Sequence, residues 1–396
     1  MGYISLQNLS KTYGNKFKAL DNVSLEVEQG EFFVLLGPSG SGKTTLIRCI
    51  AGLETVDSGK IIVKNRLITD YPPGERNVAM VFQNYALYPF LTVYDNLAFP
   101  LKARGRLRKR LWSEALGQGK APTTGIGYQL GINPIKPTEV KENIRERVNR
   151  VAEMLQITDI LDRKPGQISG GQRQRVALGR ALIREADVYL MDEPLSNLDA
   201  KLRSSTRIEL KNLQKKLGIT IIYVTHDQIE ALTMGDRMGV INKGQLVQVG
   251  KPLDVYNMPD NLFVAGFLGD PPINQVDCSV SEGSPSAISF GGYDLELPGK
   301  PDLSSHSGKP LKLAIRPEDV EFADSGAKGT VTFVRSIGRI NYISVVLSET
   351  EEMVTKVTTE QLAISEGDSV LVTPKASSAD VFERDNETLV WSAKKQ

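Results

Sequence analysis

The sequence predicts an α/β domain with a parallel sheet, followed by a second domain made of β-strands. In the first part, continuous apolar runs typical of buried parallel strands alternate with helix-period stretches, and a glycine-rich loop joins one run to one helix. After Gly250 the chain changes to short alternating segments rich in Gly, Pro and Ser, which predicts strands. We expect the two domains to span residues 1–235 and 236–396.

Length and composition limit the class of protein. The 396 residues are enough for two or three domains with sizeable cores. Because 48 Lys and Arg balance 47 Asp and Glu, no nucleic-acid partner is expected. Cys49 and Cys278 have no metal-ligand spacing and fit a reduced cytoplasmic compartment. Neither a secretory leader nor an apolar run of membrane-spanning length is visible, so we expect any membrane link to run through a partner.

The glycine-rich loop lies between the apolar run 32–36 and the apolar-periodic stretch 46–50. Its glycines permit positive φ and close backbone approach, so that loop N–H groups and a helix N-terminus can face an anion. We expect it to bind the phosphates of a nucleotide, with Lys43 contributing charge and the Thr44 hydroxyl a ligand to Mg²⁺. The alternative is a glycine-rich turn that only caps a helix. The candidate residues are Gly37, Pro38, Ser39, Gly40, Ser41, Gly42, Lys43, Thr44 and Thr45.

Two single residues outside the loop are candidates for the same site. Tyr13 lies among the strands predicted within 3–36, where it either covers the sheet edge or offers a face on which adenine stacks. Gln83 directly follows the apolar run 78–82, at the strand end where open α/β sheets bind ligands. It could therefore reach Mg²⁺ or an attacking water, or it could be an ordinary solvated residue.

A second possible anion site precedes a helix predicted over 173–184. Ser169 is a plausible N-cap, and the two glycines after it leave backbone N–H groups free at a helix start. The alternative is a simple helix cap. The candidate residues are Ser169, Gly170, Gly171 and Gln172. Apolar residues at helical spacing predict another helix over 144–163.

Adjacent carboxylates and a histidine follow two further predicted strands. Asp192 is expected to hold the Mg²⁺ shell, while Glu193 faces outward to polarise a water. His226 follows the run 221–225 on the same presumed side of the sheet. It either contacts the γ-phosphate or is an ordinary surface residue whose hydrogen bonds are already made.

With these motifs in this order, the first 235 or so residues resemble the ATP-binding subunit of ABC transporters. The resemblance implies an α/β P-loop nucleotide-binding domain with a helical subdomain at about 84–180, and ATP and Mg²⁺ as ligands. It matches Tyr13 to the adenine-stacking position, Gly37 to Thr44 to the Walker A loop, Gln83 to the Q-loop, Ser169 to Gln172 to the signature, Asp192 and Glu193 to Walker B and its catalytic glutamate, Ser196 to Asp199 to the D-loop, and His226 to the switch histidine.

The resemblance also implies how the motifs are used. The catalytic residues would be Glu193, His226, Gln83 and Lys43, and the Mg²⁺ ligands would be Thr44, Gln83 and Asp192. In this family two subunits meet head to tail, and each ATP lies between one Walker A loop and the partner's signature. A homodimer is therefore implied, in which Ser169 and Gly171 bind the γ-phosphate held by the other copy. Because Glu193 is intact, both sites are expected to be competent.

The second domain resembles the oligonucleotide-binding-fold-like (TOBE) domain of maltose-type sugar importer ATPases. The segments that resemble it are 263–274 and 315–320. Ser336 stands where such domains often have Glu, so we expect a dimerising β module rather than a ligand-binding one. Its strands are predicted at 312–315, 330–334, 342–347 and 369–372.

An insertion at about 104–143 departs from the family pattern. It contains five cations within seven residues: Arg104, Arg106, Arg108, Lys109 and Arg110. A solvated surface loop, a membrane-facing basic segment and a contact with another protein are all compatible with this composition.

We therefore expect a peripheral ATPase subunit on the cytoplasmic face of the cell membrane that drives a carbohydrate importer. Its partners would be two integral-membrane permease subunits and an extracytoplasmic solute-binding protein. Importers of polyamine, glycerol-phosphate or iron are the nearest alternatives. A soluble ABC ATPase would need a coiled-coil insertion or a second nucleotide domain in the chain, and a purely regulatory protein is disfavoured by the intact Lys43, Asp192 and Glu193.

Overall fold

A computed structural model describes residues 2–14, 17–103, 137–348, 351–358 and 364–395. The chain divides into two compact units, the first formed by 1–236 with 242–245 and the second by 237–241 with 246–396. Most of the predicted insertion, residues 104–136, lies outside the described residues, and of 137–143 only the helical backbone is described. Within the described part of the chain, no helix is long and apolar enough to cross a membrane.

The described part of the first unit contains two sheets. The strands β1 (Ile4–Tyr13), β2 (Phe17–Val27), β4 (Ser58–Val63) and β5 (Arg66–Leu67) pair antiparallel in the order β2-β1-β4-β5. A second sheet contains the parallel strands β3 (Phe32–Leu36), β8 (Thr220–Thr225), β7 (Val188–Asp192) and β6 (Val78–Val81), in that order. Every residue of β3, β7 and β8 is buried, which explains their uninterrupted apolar sequences.

Six helices accompany these sheets in the described part of the first unit. They are α1 (Lys43–Ala51), α2 (residues 93–103), α3 (Pro137–Met154), α4 (Gly170–Leu182), α5 (Ala200–Leu217) and α6 (Gln228–Met234). Because β3, β6, β7 and β8 are parallel, their carboxyl ends meet at one edge of the sheet. The segments that begin at Gly37, Phe82, Glu193 and His226 leave from this edge.

The prediction of a helix over 144–163 is wrong about the bounds of the helix. The observed helix α3 ends at Met154, and Gln156 has a left-handed backbone with φ of 55°. Ile157 and Ile160 continue the apolar spacing and are buried, but they lie beyond the helix end, so periodicity alone could not show where the helix stops. The helix predicted from residue 173 begins earlier, at Gly170.

The second unit begins with the hairpin β9 (Arg237–Asn242) and β10 (Gln245–Gly250) and the short helices α7 (Pro252–Asn257) and α8 (Leu262–Phe267). Ten strands follow: β11 (Asn274–Val280), β12 (Ala287–Phe290), β13 (Tyr293–Glu296), β14 (Leu311–Ile315), β15 (Val320–Ile337), β16 (Ile340–Ser348), β17 (Glu351–Thr358), β18 (Ser369–Pro374), β19 (Asp380–Glu383) and β20 (Leu389–Ser392). The four strands predicted here lie within β14, β15, β16 and β18, so the prediction of a β-domain is confirmed.

These ten strands form two antiparallel sheets. Their orders are β13-β12-β11-β14-β19-β20 and β17-β16-β15-β18. Inward-facing residues of both sheets, among them Leu313, Val331 and Ile343, join one hydrophobic core. Such alternation of buried and exposed positions is the pattern by which the sequence predicted strands.

One buried arginine ties the helical part of the second unit to its sheet. Arg316, which is 4% exposed, follows β14, and its Nη1 donates to the backbone oxygens of Ala265, at 3.3 Å, and Leu268. Its Nη2 donates to the backbone oxygen of Tyr256 at 3.1 Å, and the guanidinium lies 4.1 Å from the ring centre of the same residue. Burial lowers the pKa of this guanidinium, so the three carbonyls and the ring offset the cost of its desolvation only in part.

We expect Arg316→Met to lower the free energy of unfolding of the second unit by about 2 to 5 kcal/mol, because up to three buried carbonyls lose their donor. Urea unfolding followed by intrinsic fluorescence measures the change. Arg384→Met is the matched control, since the Arg384 side chain is 56% exposed. Equal stability of the two variants would contradict the structural role assigned to Arg316.

Candidate functional site

The glycine-rich loop wraps around the start of α1 in a backbone that its sequence requires. Gly40 and Gly42 have φ of 75° and 107°, conformations that L side chains rarely adopt. A Cβ on Gly42 would lie 2.4 Å from the backbone oxygen of Ala19, so even alanine does not fit there without movement. The loop therefore presents backbone, rather than side chains, at the amino end of α1.

Two side chains of this loop point to an anionic ligand. The Lys43 ammonium donates to the backbone oxygens of Gly37 and Pro38, both at 2.8 Å, and so lies folded inside the loop. Burial lowers its pKa, against the attraction of Glu193 and Asp192. The Ser41 hydroxyl is buried and has no hydrogen-bond partner among the described residues. A phosphate group would supply the partner that the Ser41 hydroxyl lacks and a negative charge for the Lys43 ammonium, which bonds only to neutral carbonyls here.

The carboxyl end of β7 lies beside the start of α1. The Thr44 hydroxyl donates to Oδ1 of Asp192 at 3.1 Å, and Asp192 is 9% exposed. Burial raises the pKa of this carboxyl, and the Thr44 hydrogen bond and the nearby Arg48 and Lys43 oppose the shift only in part. A hydroxyl and a buried carboxylate lacking a full counter-charge fit a divalent cation with oxygen ligands, so the residues present fit Mg²⁺.

Three side chains from three strand ends meet at one carboxylate oxygen. Oε2 of Glu193 lies 2.9 Å from Nδ1 of His226, which follows β8, and 3.4 Å from Nε2 of Gln83, which follows β6. The Glu193 side chain is 17% exposed and that of His226 is 58% exposed. The structure thus brings together Gln83, Glu193 and His226, which lie far apart in sequence.

Glu193 has a left-handed backbone with φ of 44°, which is unusual for a residue with a side chain. Its N–H donates to the backbone oxygen of Val224 at 3.0 Å, while its own carbonyl accepts from the N–H and hydroxyl of Ser196 at 3.2 and 2.9 Å. These bonds hold the residue in a conformation that costs energy, a common property of functional positions. The turn after β7 therefore sets the direction of the Glu193 side chain.

Tyr13 lies at the end of β1 with its ring 37% exposed. Its hydroxyl donates to Oε2 of Glu54 at 3.0 Å, and it also interacts with Thr45 at the start of α1. The Lys11 ammonium lies 5.4 Å from the centre of the ring and 3.1 Å from Oε1 of Glu54. An exposed aromatic face beside the phosphate loop is compatible with base stacking.

The second predicted anion site lies at the N-terminus of α4. The Ser169 hydroxyl accepts from the N–H of Gln172 at 3.3 Å, and the Gln172 side chain accepts from the N–H of Ser169 at 2.9 Å. A Cβ on Gly171 would lie 2.9 Å from Cδ2 of Leu202 on α5. Among the described residues, no hydrogen bond or ion pair joins 169–172 to 37–45.

The turn between β7 and α5 contains contacts that the sequence did not reveal. Asp199 caps α5 by accepting from the N–H of Leu202 at 3.0 Å. Asn197 donates to the backbone oxygen of Gln83 at 2.8 Å, so this turn touches the segment after β6. Arg203 contacts the turn and the loop after β8. The residues missed by sequence reasoning are Lys11, Glu54, Arg203 and Asp227, and none of them belongs to a recognisable local motif.

Comparison with known proteins gives two family matches. A model described as ABC transporter matches residues 20–196, and a model of the TOBE domain matches residues 313–382. The trehalose/maltose import ATP-binding protein MalK of Thermococcus litoralis is 48% identical over 330 residues, which are 81% of this chain and 79% of that protein. The xylose/arabinose import ATP-binding protein XacK of Haloferax volcanii is 42% identical over 401 residues, 98% of this chain and 94% of that protein.

Another relative and two solved structures extend the comparison. The sn-glycerol-3-phosphate import ATP-binding protein UgpC of Cupriavidus pinatubonensis is 43% identical over 350 residues, 85% of this chain and 86% of that protein. A bacterial ABC transporter cassette solved as a dimer has a TM-score of 0.50 at 30% identity, covering 63% of this chain and 98% of that chain. The cbiO1 protein of Clostridium perfringens, part of the ABC transporter complex cbiONQ, has a TM-score of 0.51 at 26% identity, covering 65% and 91%.

We expect Asp192→Asn to stabilise the ligand-free protein at neutral pH. Because the folded state raises the pKa of Asp192, its ionised form opposes folding above that pKa, and the opposition disappears as the pH falls through it. The melting temperature of the variant should therefore exceed that of the native protein at pH 7, and the gap should narrow toward acid pH. Asp187→Asn, on the exposed ion pair with Lys64, is the control. If the native protein is more stable than Asp192→Asn at pH 7 without ligand, the prediction is contradicted.

Proposed function

Because the chain belongs to the import ATP-binding proteins of the ABC transporter family, we propose that it hydrolyses ATP to energise import of a carbohydrate. The observation that carries the proposal is the meeting of Gln83, Glu193 and His226 beside the pair of Thr44 and Asp192. Relatives named for trehalose/maltose and for xylose/arabinose favour a carbohydrate. The relative named for sn-glycerol-3-phosphate makes that solute the alternative.

The phosphate loop would bind the nucleotide through Lys43 and Ser41. The Lys43 ammonium would leave the carbonyls of Gly37 and Pro38 for the β and γ phosphates, and the Ser41 hydroxyl would gain an acceptor. Tyr13 would stack on the adenine. Loop N–H groups from 37–45 would complete the anion site.

Thr44, Asp192 and Gln83 would hold Mg²⁺, which neutralises phosphate charge when it is bound. Two of these residues already share a hydrogen bond at 3.1 Å, so they need little movement to act together. The Gln83 side chain is exposed and reaches toward Glu193, from where it could turn to the metal. The carboxylate of Asp192, disfavoured by burial, would gain a cationic neighbour.

Glu193 would polarise the attacking water. Its carboxylate lies at the carboxyl edge of the sheet, with Oε2 shared by His226 and Gln83 and the backbone fixed by the turn after β7. His226 would hold this carboxylate in place and contact the phosphate that develops charge in the transition state. Because the His226 side chain is largely exposed, it can reach a ligand bound over the loop.

We propose a homodimer in which each copy completes the other's site. Residues 169–172 lie at a helix N-terminus where Ser169 is exposed and Gly171 is buried, and among the described residues no hydrogen bond or ion pair joins them to the phosphate loop of their own chain. A second copy meeting head to tail would bring Ser169 and Gly171 to the γ-phosphate. Asp199 would lie at the same interface, since the turn that contains it contacts the segment of Gln83.

The proposed location is the cytoplasmic face of the cell membrane, where two integral-membrane permeases and an extracytoplasmic solute-binding protein would complete the importer. An aromatic surface after Gln83 supports docking: Phe90 is 69% exposed, and Tyr88 packs against Phe90 and Phe99 at 6.2 and 4.5 Å between ring centres. Arg180 donates to the backbone oxygens of Ala86 and Tyr85 and stiffens this segment.

We expect Glu193→Gln to retain ATP binding and to lower kcat by at least about 100-fold, because the amide cannot accept a proton from water. ATP affinity should stay within about threefold, since phosphate contacts come from the loop. Size-exclusion chromatography should show accumulation of an ATP-bound dimer. Glu185→Gln, at a side chain that is 71% exposed, is the control. Near-native hydrolysis by purified Glu193→Gln would refute the proposed role.

The shared site is tested with mixed dimers. Pairing a Lys43→Ala subunit with a Gly171→Asp subunit places both lesions in one composite site and leaves the other intact, so about half of the native activity is expected if the two sites act independently. The matched control pairs a native subunit with a subunit that has both substitutions, because each composite site then has one lesion. Equal hydrolysis by the two kinds of mixed dimer would exclude the head-to-tail arrangement.

A further inference from the structure

Arg203 connects two loops of the site that otherwise belong to different strands. It lies in the first turn of α5, and its Nη2 donates to the backbone oxygens of Ser196 and Leu198 at 3.3 and 3.1 Å. Its Nη1 lies 3.6 Å from Oδ2 of Asp227, the residue after His226. One guanidinium thus holds the turn after β7 and the loop after β8 together.

Asp227 is hydrogen-bonded to residues on both sides of it in the chain, so a displacement of Asp227 would be transmitted to His226. Its Oδ1 accepts from the N–H groups of Ile229 and Glu230 at 2.8 and 3.1 Å and caps α6. Its own N–H donates to the Thr225 hydroxyl at 2.9 Å. His226 lies between Thr225 and Asp227, which are joined by this hydrogen bond, so a movement of Asp227 would also move the backbone of His226.

A buried carboxyl completes the support under this loop. Oε2 of Glu230 accepts from the hydroxyls of Tyr223 and Thr225 at 2.8 and 2.7 Å, and Glu230 is 3% exposed. Burial raises the pKa of this carboxyl. The base of the loop is therefore firmly held, and the partly buried ion pair between Arg203 and Asp227, 3.6 Å long, is the contact of this loop that can change most easily.

We propose that Arg203 is a positioning residue that couples the turn 195–199 to His226. The turn lies next to Glu193, whose carbonyl accepts from Ser196, and next to Gln83, whose carbonyl accepts from Asn197. A partner subunit that displaces this turn would move Arg203, and Arg203 would move Asp227 and His226 relative to Oε2 of Glu193. The proposal deepens the proposed function and rests on it for the role of the partner.

The first test measures the imidazole of His226 in the ligand-free chain. The chain has two histidines, so selective ¹⁵N labelling gives two sets of imidazole signals, assigned with His306→Gln. We expect Arg203→Ala to shift the His226 signals and leave those of His306, in the second unit, unchanged. Lys215→Ala, at an exposed lysine in the last turn of α5, should change neither. Unchanged His226 signals in folded Arg203→Ala would overturn the proposal.

Two further variants separate coupling from folding. Asp227→Asn keeps the capping oxygen but loses the charge, and it should shift His226 as Arg203→Ala does. The double variant should shift the His226 signals no further than either single variant, because both substitutions remove the same ion pair. Additive shifts would overturn the proposal. Arg203→Lys keeps the charge but has one donor group in place of a fork, and it should give a smaller shift even if the alanine variant folds poorly.

The second test measures ATP hydrolysis by the full chain. We expect Arg203→Ala to lower kcat by about 10- to 100-fold while the ATP affinity stays within about twofold, because Arg203 does not contact the phosphate loop. A loss of affinity without a loss of kcat would overturn the proposal. If the native chain does not hydrolyse ATP, the proposed function fails, whereas the NMR result still decides whether Arg203 positions His226.

Discussion

The candidate site depends on the parallel pairing of β3, β8, β7 and β6. Parallel strands end at one edge, so four loops that lie up to about 190 residues apart in the chain converge there. The hydrogen bond between Thr44 and Asp192 and the meeting of Glu193 with His226 both follow from this alignment. A shift in the register of β7 by one residue would exchange the positions of Asp192 and Glu193 relative to the two faces of the sheet.

That exchange would matter because the two carboxylates have different partners: Thr44 for Asp192, and His226 and Gln83 for Glu193. Asp192 is the last residue of β7 and is buried beside the phosphate loop. Glu193 is the first residue after the strand, and its left-handed backbone turns the side chain away from the strand direction toward His226. The difference between the proposed metal ligand and the proposed base is therefore set by one residue of backbone geometry.

Much of this arrangement could be predicted from sequence. Buried parallel strands are continuous apolar runs, the loop 37–44 has its own glycine pattern, and the β-domain shows alternation. The fold class, the position of Lys43 at a helix start and those of Asp192 and His226 at strand ends could therefore be predicted. Individual side-chain contacts between residues far apart in the sequence could not be predicted in this way. The contact of Glu54 with Tyr13 spans 41 residues, and that of Asn197 with Gln83 spans 114. The end of α3 at Met154 depends on a left-handed Gln156, which apolar periodicity does not encode.

The site holds two buried ionisable groups, Lys43 and Asp192, whose neighbours in the chain do not fully compensate their burial. Burial lowers the pKa of Lys43 and raises that of Asp192, so in both cases the charged form is disfavoured. A phosphate anion would stabilise the charged form of Lys43, and a divalent cation would stabilise that of Asp192. Each ligand would therefore offset the desolvation cost of a different group. Lys43 and Asp192 are linked through Thr44, which follows Lys43 in the chain and donates a hydrogen bond to Asp192. Binding of the anion and binding of the cation should therefore reinforce one another, which is a reason for a site of this kind to take up a nucleotide together with its metal rather than either alone.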